Sequence, residues 1–448
     1  MGAVDGLTRI VGEAHVSPGV VVGDAAVAGS PARALVRPGR AEEVAAVVAW
    51  CYERDIPIVP VGGRSGLAGG AAVLDGRAVA VALDRLTAVR SLDPELWRME
   101  VEAGVTTATV ARLARENGLL FGPDPGAAEQ SQLGGTIATN AGGPHAFKYG
   151  VTGDWVTGVE AVLAPGELVR FGGPLRKDVA GYDLRALLTG SEGTLGIVTA
   201  AWLRLVPAPE AQLPVLASYP DPASGCAAIA RVLGGGIQAA VLEYLDAGAT
   251  RLAGDAFPGG ELHGFVVLAE ADGSAAEAAH VRAELLEALG DGATAMHAPQ
   301  DAGAVRELWR WRAGVTYAVT TGRGSKLSED IVVPLERLEQ AIEEIVAIGE
   351  RHDLDACSWG HAGDGNLHAT FLLDPGDAAM RARADDAAQA LFDLALRLGG
   401  SVSGEHGIGL LKAGQLVRQW SPAAVAAHRA VKAALDPKGL LNPGKKEP

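Results

Sequence analysis

GGRSG (62–66), GGTIATNAGG (134–143) and GSEGTLG (190–196) are the stretches on which the fold turns. Successive backbone N–H groups in such glycine-rich loops form concave nests that bind phosphate oxygens. A dinucleotide pyrophosphate needs several such donors and no bulky side chain in the way. One loop alone reads equally well as a tight turn. Three of them, decorated with Ser and Thr and confined to the first half of the chain, favour a bound ligand. None has the GxGxxG spacing of a Rossmann turn, and the chain has no GxxxxGK[ST] phosphate loop and no GxSxG elbow.

Around these stretches the pattern is mixed. AEEVAAVVAWCYERD (41–55) has helical periodicity and leads into a short strand, IPIVPVG (56–62). AVAVALDRL (78–86) and WRMEVEAG (97–104) read as strands, and TTATVARLARENG (106–118) as a helix opened by Thr and stopped by Gly. Pro165-Gly166 separates two strand-like runs and predicts a hairpin. The proline-rich VPAPEAQLP (206–214) marks the best domain boundary. Beyond it, strands at 264–272, 331–334, 355–361 and 366–373 alternate with helices near 275–290, 304–321 and 335–351 and a last helix ending near 398. That alternation predicts an α+β second domain. SVSGEHGIG (401–409) reads as a loop, followed by short helices and LLNPGK (440–445).

With 448 residues, the chain has room for two or three domains. Its 48% hydrophobic and 21% charged residues describe a folded protein with sizeable cores. The net charge of -16 argues against nucleic acid and anionic lipid as bulk partners. Cys51, Cys226 and Cys357 lie far apart, so neither a disulfide framework nor a thiolate zinc site is indicated. This fits a reducing cytoplasm. MGAVDGLTRIVGE (1–13) shows no secretory leader, and no run approaches the ~18–20 apolar residues of a transmembrane helix. Peripheral contact with the inner membrane is compatible with this reading.

GHAGDGNLH (360–368) sets His361 and His368 on either side of a tight turn, and SGEHGIG (403–409) adds Glu405 and His406. Two imidazoles and a carboxylate make a common shell for zinc or a similar divalent ion, with a position left for substrate. Unrelated histidines are the plain alternative. Arg312 and Thr316 lie one helical turn apart in WRAGVTYAVTTGRGSK (311–326), which ends at Lys326. Arginine can clamp a carboxylate with two hydrogen bonds, although from spacing alone a solvated helix face is the better explanation of these residues.

These stretches, with VPVGGRSGLAGG (59–70), GPDPGAAEQSQLGGTIATNAGG (122–143), KYGVTGDWVTGVEAVL (148–163) and DVAGYDLRALLTGSEGTLGIVT (178–199), run in one order across almost the whole chain. The chain resembles the FAD-linked oxidases of the vanillyl-alcohol-oxidase type, in the D-lactate, D-2-hydroxyglutarate and glycolate dehydrogenase branch. The resemblance implies an α+β fold. Residues 1–210 would be a two-subdomain PCMH-type FAD-binding domain, and 211–400 a ferredoxin-like substrate cap. Residues 401–448 would be a C-terminal helical segment returning to the flavin.

It also implies roles. FAD would meet Pro60, Gly62, Gly63, Arg64, Ser65 and Gly66, then Gly134, Gly135, Thr136, Thr139, Asn140, Gly142 and Gly143. Glu192, Gly193, Gly196, Ile197 and Asn442 would complete its site. The first glycine loop has no His or Cys, so FAD would be non-covalent. His361, His368 and Glu405 would hold a divalent metal, zinc, and His406 would be the general base. Arg312, Thr316 and Lys326 would bind the substrate carboxylate. The implied reaction oxidises a small D-2-hydroxy acid: hydroxyl activation by the metal, proton loss to His406, hydride transfer to flavin N5. The electron acceptor would be a quinone, a cytochrome or an electron-transfer flavoprotein, and a homodimer is compatible. A non-redox transferase of the alkyl-glycerone-phosphate synthase type and a flavin subunit of a larger complex are the competing readings. His145, just after the second glycine stretch, has no assignment.

Overall fold

The computed structural model describes residues 4–448; residues 1–3, the start of the stretch read for a leader, lie outside them. The chain forms two compact units, one of residues 4–143, 150–208 and 405–448, the other of 144–149 and 209–404.

Among the described residues, the first unit holds two larger sheets and two short two-stranded ones, 21–22 with 30–31 and 119–120 with 206–207. In the four-stranded sheet, Ala34–Val36, Val79–Ala82 and Ile58–Val61 pair in parallel, with Val16–Ser17 added antiparallel at one edge. Ala41–Tyr52 is the helix its periodicity predicts: Val44, Val47, Val48 and Cys51 share one stripe and are buried in a core with Ile58, Val79 and Val81. The second sheet is antiparallel and five-stranded, in the order 167–172, 156–163, 197–204, 98–102, 89–93. Its Val156–Leu163 and Glu167–Gly172 pair forms the expected hairpin over Pro165-Gly166. Thr106 caps the helix Thr107–Glu116 by accepting from the Thr109 amide at 3.2 Å.

The GGTIATNAGG stretch differs from its reading as a loop. Leu133–Thr139 is a short helix that Asn140 ends in the left-handed conformation. Here close approach outweighs glycine's poor helix propensity. A Cβ at Gly134 would stand 2.7 Å from that of Ala103.

The second unit is one seven-stranded antiparallel sheet, in the order 295–297, 211–219, 265–273, 241–245, 356–361, 366–373, 325–332. Its first four strands in the chain take the order 4-1-3-2, with the helices Pro222–Gly234 and Ala275–Gly290 between them. That is the ferredoxin-like βαββαβ arrangement. Three further strands widen the sheet. Both faces are covered. A Cβ at Gly349, in the helix Leu338–Arg351, would meet Ala356, whereas one at Gly248, in Ala247–Ala253, would meet Cys357. Neighbouring residues of a strand point to opposite faces, so these two helices lie on opposite sides.

Two expectations shift. The strand read at 331–334 is Ser325–Val332, and the helix begins at Leu338 after a 3₁₀ turn. SKLSEDIV is polar at every second position because that face carries the candidate site, so apolar patterning alone misses it. Among the described residues, no helix is long and apolar enough to cross a membrane.

Candidate active site

In the first unit the glycine stretches converge. Gly62–Gly66 follow the strand Ile58–Val61, which contains Pro60. A Cβ on Gly62 would come within 3.4 Å of the Gly135 Cα, so the first loop and the 133–139 helix abut through bare backbone. Ser191–Gly193 lies against the same helix, with the Glu192 amide donating to Ala138 at 2.7 Å and the Gly190 amide to Ile137 at 2.9 Å. A Cβ on Gly193 would meet the Pro60 ring at 2.9 Å. Arg64, Asn140, Glu192 and Asn442 all take positive φ, a conformation that collects at ligand clamps. A phosphate-bearing group fits this cradle of unshielded backbone.

Several predicted cofactor residues also carry structure. Thr136 is buried and 3.0 Å from Thr107 through their hydroxyls, Thr139 donates to Gly135 at 3.1 Å, and Asn140 accepts from Gly153 at 2.7 Å. Gly196 packs on Leu163, and Ile197 lies in the core. The buried Glu192 carboxylate accepts from the amides of Ile408 (2.9 Å) and Gly409 (2.7 Å) and from Lys446 (3.1 Å). The Asn442 side chain donates to the carbonyls of Glu192 (2.7 Å) and Gly70 (2.9 Å), tying the C-terminal segment to the first glycine stretch.

In the second unit a polar face develops on the sheet. Trp359 pairs with His368, His361 with Asn366 and with Glu243, Asp330 with His368, and Lys326 with Leu372. Antiparallel partners share a face, as do residues two apart on one strand. Glu243, Lys326, Ser328, Asp330, Trp359, His361, His368 and Thr370 therefore lie on the same side. The His361 and His368 rings stand edge to face with centroids 5.4 Å apart, on strands joined by the predicted turn. Glu405 is peptide-bonded to Gly404, whose amide donates to Asp330 at 2.6 Å, and Asp330 is the register partner of His368. Within the second unit, His361 and His368 present two imidazoles of the kind that ligate a metal ion. His406 follows Glu405.

The helix Ala302–Arg323 supplies the carboxylate-binding candidates. Arg312 is buried and pairs through Nη2 with Glu243; its Nε is buried without a hydrogen-bond partner among the described residues. Lys326 Nζ donates to the Thr316 hydroxyl at 2.6 Å and lies 5.1 Å from the centroid of the Trp359 ring. A cation with spare donors beside paired imidazoles fits a small carboxylate that bears a neighbouring metal-binding group.

Residues 32–172 match the FAD binding domain family, and 208–446 match the family of FAD linked oxidases, C-terminal domain. The second match covers more than half of the chain. The chain belongs to the FAD-linked oxidases. It is similar to the "Glycolate oxidase subunit GlcD" of Bacillus subtilis, 36% identical over 92% of this chain and 88% of that protein. The "D-2-hydroxyglutarate dehydrogenase" of Xanthomonas citri is also 36% identical, over 92% and 88%. The "Probable D-lactate dehydrogenase, mitochondrial" of Danio rerio is 35% identical over 93% and 84%. Among solved structures, p-cresol methylhydroxylase with substrate bound shares the fold at a TM-score of 0.80 and 18% identity, over 99% of this chain and 96% of that one.

Two features of this FAD-linked oxidase escape motif reading. Glu243 bonds Arg312 through Oε2 and His361 Nδ1 through Oε1. Burial raises its pKa, but Arg312 and then His361 outweigh this and hold it down to about 2. The available signal was a lone carboxylate inside the apolar run VLEYL (241–245). His145 belongs to the second unit, where its Nε2 is 3.1 Å from buried Glu270 and its ring is 5.5 Å from that of Trp309. Glu270 also accepts from Trp309 at 2.7 Å and Gln212 at 3.1 Å.

Proposed function

We propose that this FAD-linked oxidase oxidises the C2 hydroxyl of a small D-2-hydroxy acid to the 2-oxo acid. The observation that carries the reading is that His361, His368 and Arg312 share one neighbourhood of the second unit, joined by Glu243. An imidazole pair beside a guanidinium complements a hydroxyl next to a carboxylate. The names of the relatives, which concern glycolate, D-2-hydroxyglutarate and D-lactate, support the same substrate class.

FAD, held non-covalently by the glycine cradle, supplies the two-electron acceptor when bound. A divalent metal, zinc, held by His361, His368 and Glu405, would supply Lewis acidity that lowers the hydroxyl pKa. Arg312, with Thr316 and Lys326, binds the substrate carboxylate and so decides which face of C2 is presented. His406 takes the hydroxyl proton, a task suited to imidazole near neutral pH. The Bacillus relative is named a subunit, and electrons leaving this enzyme are proposed to pass to a further partner: a quinone, a cytochrome or an electron-transfer flavoprotein.

The test is anaerobic bleaching of the flavin by paired D- and L-2-hydroxy acids, with and without chelator. Fast bleaching by a D-acid, lost on chelation and restored by zinc, is expected. Flavin that stays oxidised with every acid, metal present, overturns the reading.

A further inference from the structure

Glu243 is fully buried in the strand Val241–Leu245 and is the cross-strand partner of His361. A carboxylate so placed persists only if strong donors satisfy both of its oxygens. Here one oxygen takes Arg312 Nη2 and the other takes His361 Nδ1. These donors have different assignments, one to a substrate carboxylate and the other to a metal. We infer that Glu243 is a positioning residue that couples the substrate-binding arginine to the metal-binding histidine. The inference rests on the proposed function for what the two partners bind, but not for the geometry that joins them.

The physical argument concerns protons. A neutral imidazole carries one N–H, and the hydrogen bond at one ring nitrogen decides which nitrogen keeps the lone pair. With Nδ1–H donated to Glu243, His361 keeps its lone pair on Nε2, the form a metal ligand needs. The same carboxylate holds the guanidinium in one rotamer, so that its remaining donors have a fixed direction. A neutral amide cannot serve both partners. Gln has one acceptor oxygen; if that faces Arg312, its NH₂ faces His361 Nδ1 and selects the wrong tautomer. If the oxygen faces His361, two donors confront each other at Arg312. A glutamate that only filled space or balanced charge would leave the tautomer of His361 untouched.

The experiment uses full-length protein as purified, with zinc as the metal probe and D-lactate, glycolate and D-2-hydroxyglutarate as substrates. Glu243→Gln should bind zinc ~10–100-fold more weakly in competition with a chelating dye, the usual cost of losing such a partner. It should also raise KM for the reactive acid by more than it lowers kcat, and Glu243→Asp should recover part of both. Should Glu243→Gln fail to fold, histidine-selective ¹⁵N NMR of the zinc-loaded wild type decides. Nδ1 of His361, assigned through loss of its signals in His361→Asn, should carry the proton and Nε2 the metal. Zinc on Nδ1, or a Glu243→Gln variant with wild-type zinc affinity and KM, overturns the inference while leaving bleaching by D-acids intact. Wild-type flavin that no acid bleaches overturns the proposed function instead, and the zinc and NMR readouts then judge Glu243 on their own.

Discussion

Lys326 keeps its charge against its surroundings. Burial brings its pKa down to about 8, only partly offset by Cys357, so the side chain is an ammonium below that pH and a neutral amine above it. If it binds the substrate carboxylate with Thr316, KM for the D-acid should climb as pH rises through about 8, with kcat less affected. Lys326→Arg, charged throughout, should flatten that rise in a pH series of initial rates. A wild-type KM that ignores pH between 7 and 9 would remove Lys326 from the substrate site. For His406, replacement by Ala should leave flavin content unchanged and lower kcat by ~10²–10⁴-fold. Near-normal turnover would send the base role elsewhere. These residues are legible in the sequence because the motifs around them are local: one helical turn, one hairpin, one glycine-flanked loop. Glu243 is not, since its meaning lies in a contact with His361, 118 positions further along the chain.

At the scale of elements, the readable helices are those with an amphipathic stripe or a side-chain cap, such as Ala41–Tyr52 and Thr107–Glu116. The strand Ser325–Val332 and the helix Leu133–Thr139 obey tertiary demands, a polar functional face in one case and close backbone approach in the other, and local pattern cannot announce either. Asp246 shows how one such demand is met. It caps Ala247–Ala253 by accepting from the Ala249 amide at 2.8 Å and also accepts from the Ser358 hydroxyl (3.1 Å) and amide (2.6 Å) on the neighbouring strand. Asp246→Ala removes the cap and leaves the buried Ser358 amide without its acceptor. The expected cost is about 2–4 kcal/mol, one part for the cap and the rest for the orphaned donor. Urea unfolding followed by tryptophan fluorescence measures it. A loss below about 1 kcal/mol would mean that water or a neighbouring group replaces the carboxylate.

Across the whole molecule, chain order and spatial order part company. Residues 405–448 fold with the first unit, although some two hundred residues of the second intervene, and 144–149 fold with the second unit from inside the first. A reading by consecutive segments draws boundaries at 210 and 400, and only the family resemblance implies that the last segment returns to the flavin. The return is fixed by contacts that no linear pattern displays. Leu441 extends the four-stranded sheet as a parallel neighbour of Ile58, with the Ile58 amide donating to Leu440 at 2.8 Å and the Asn442 amide donating to Ile58 at 2.7 Å. Its side chain is fully buried in the core that holds Val44, Ile58 and Val79. Lys432 fastens the same turn, donating to the carbonyls of Thr194 at 2.7 Å and Leu441 at 2.8 Å. Leu441→Ala should therefore behave as a core mutation despite its place near the C-terminus. It should cost about 2–5 kcal/mol in the unfolding transition of the first unit. Because Asn442 and Glu192 sit in the same network, flavin should dissociate in that transition, at lower urea than in the wild type. Flavin fluorescence and far-UV circular dichroism recorded through one urea titration make the comparison. An unchanged midpoint for flavin release would mean that the cradle is held by its glycine stretches alone and does not depend on the returning segment.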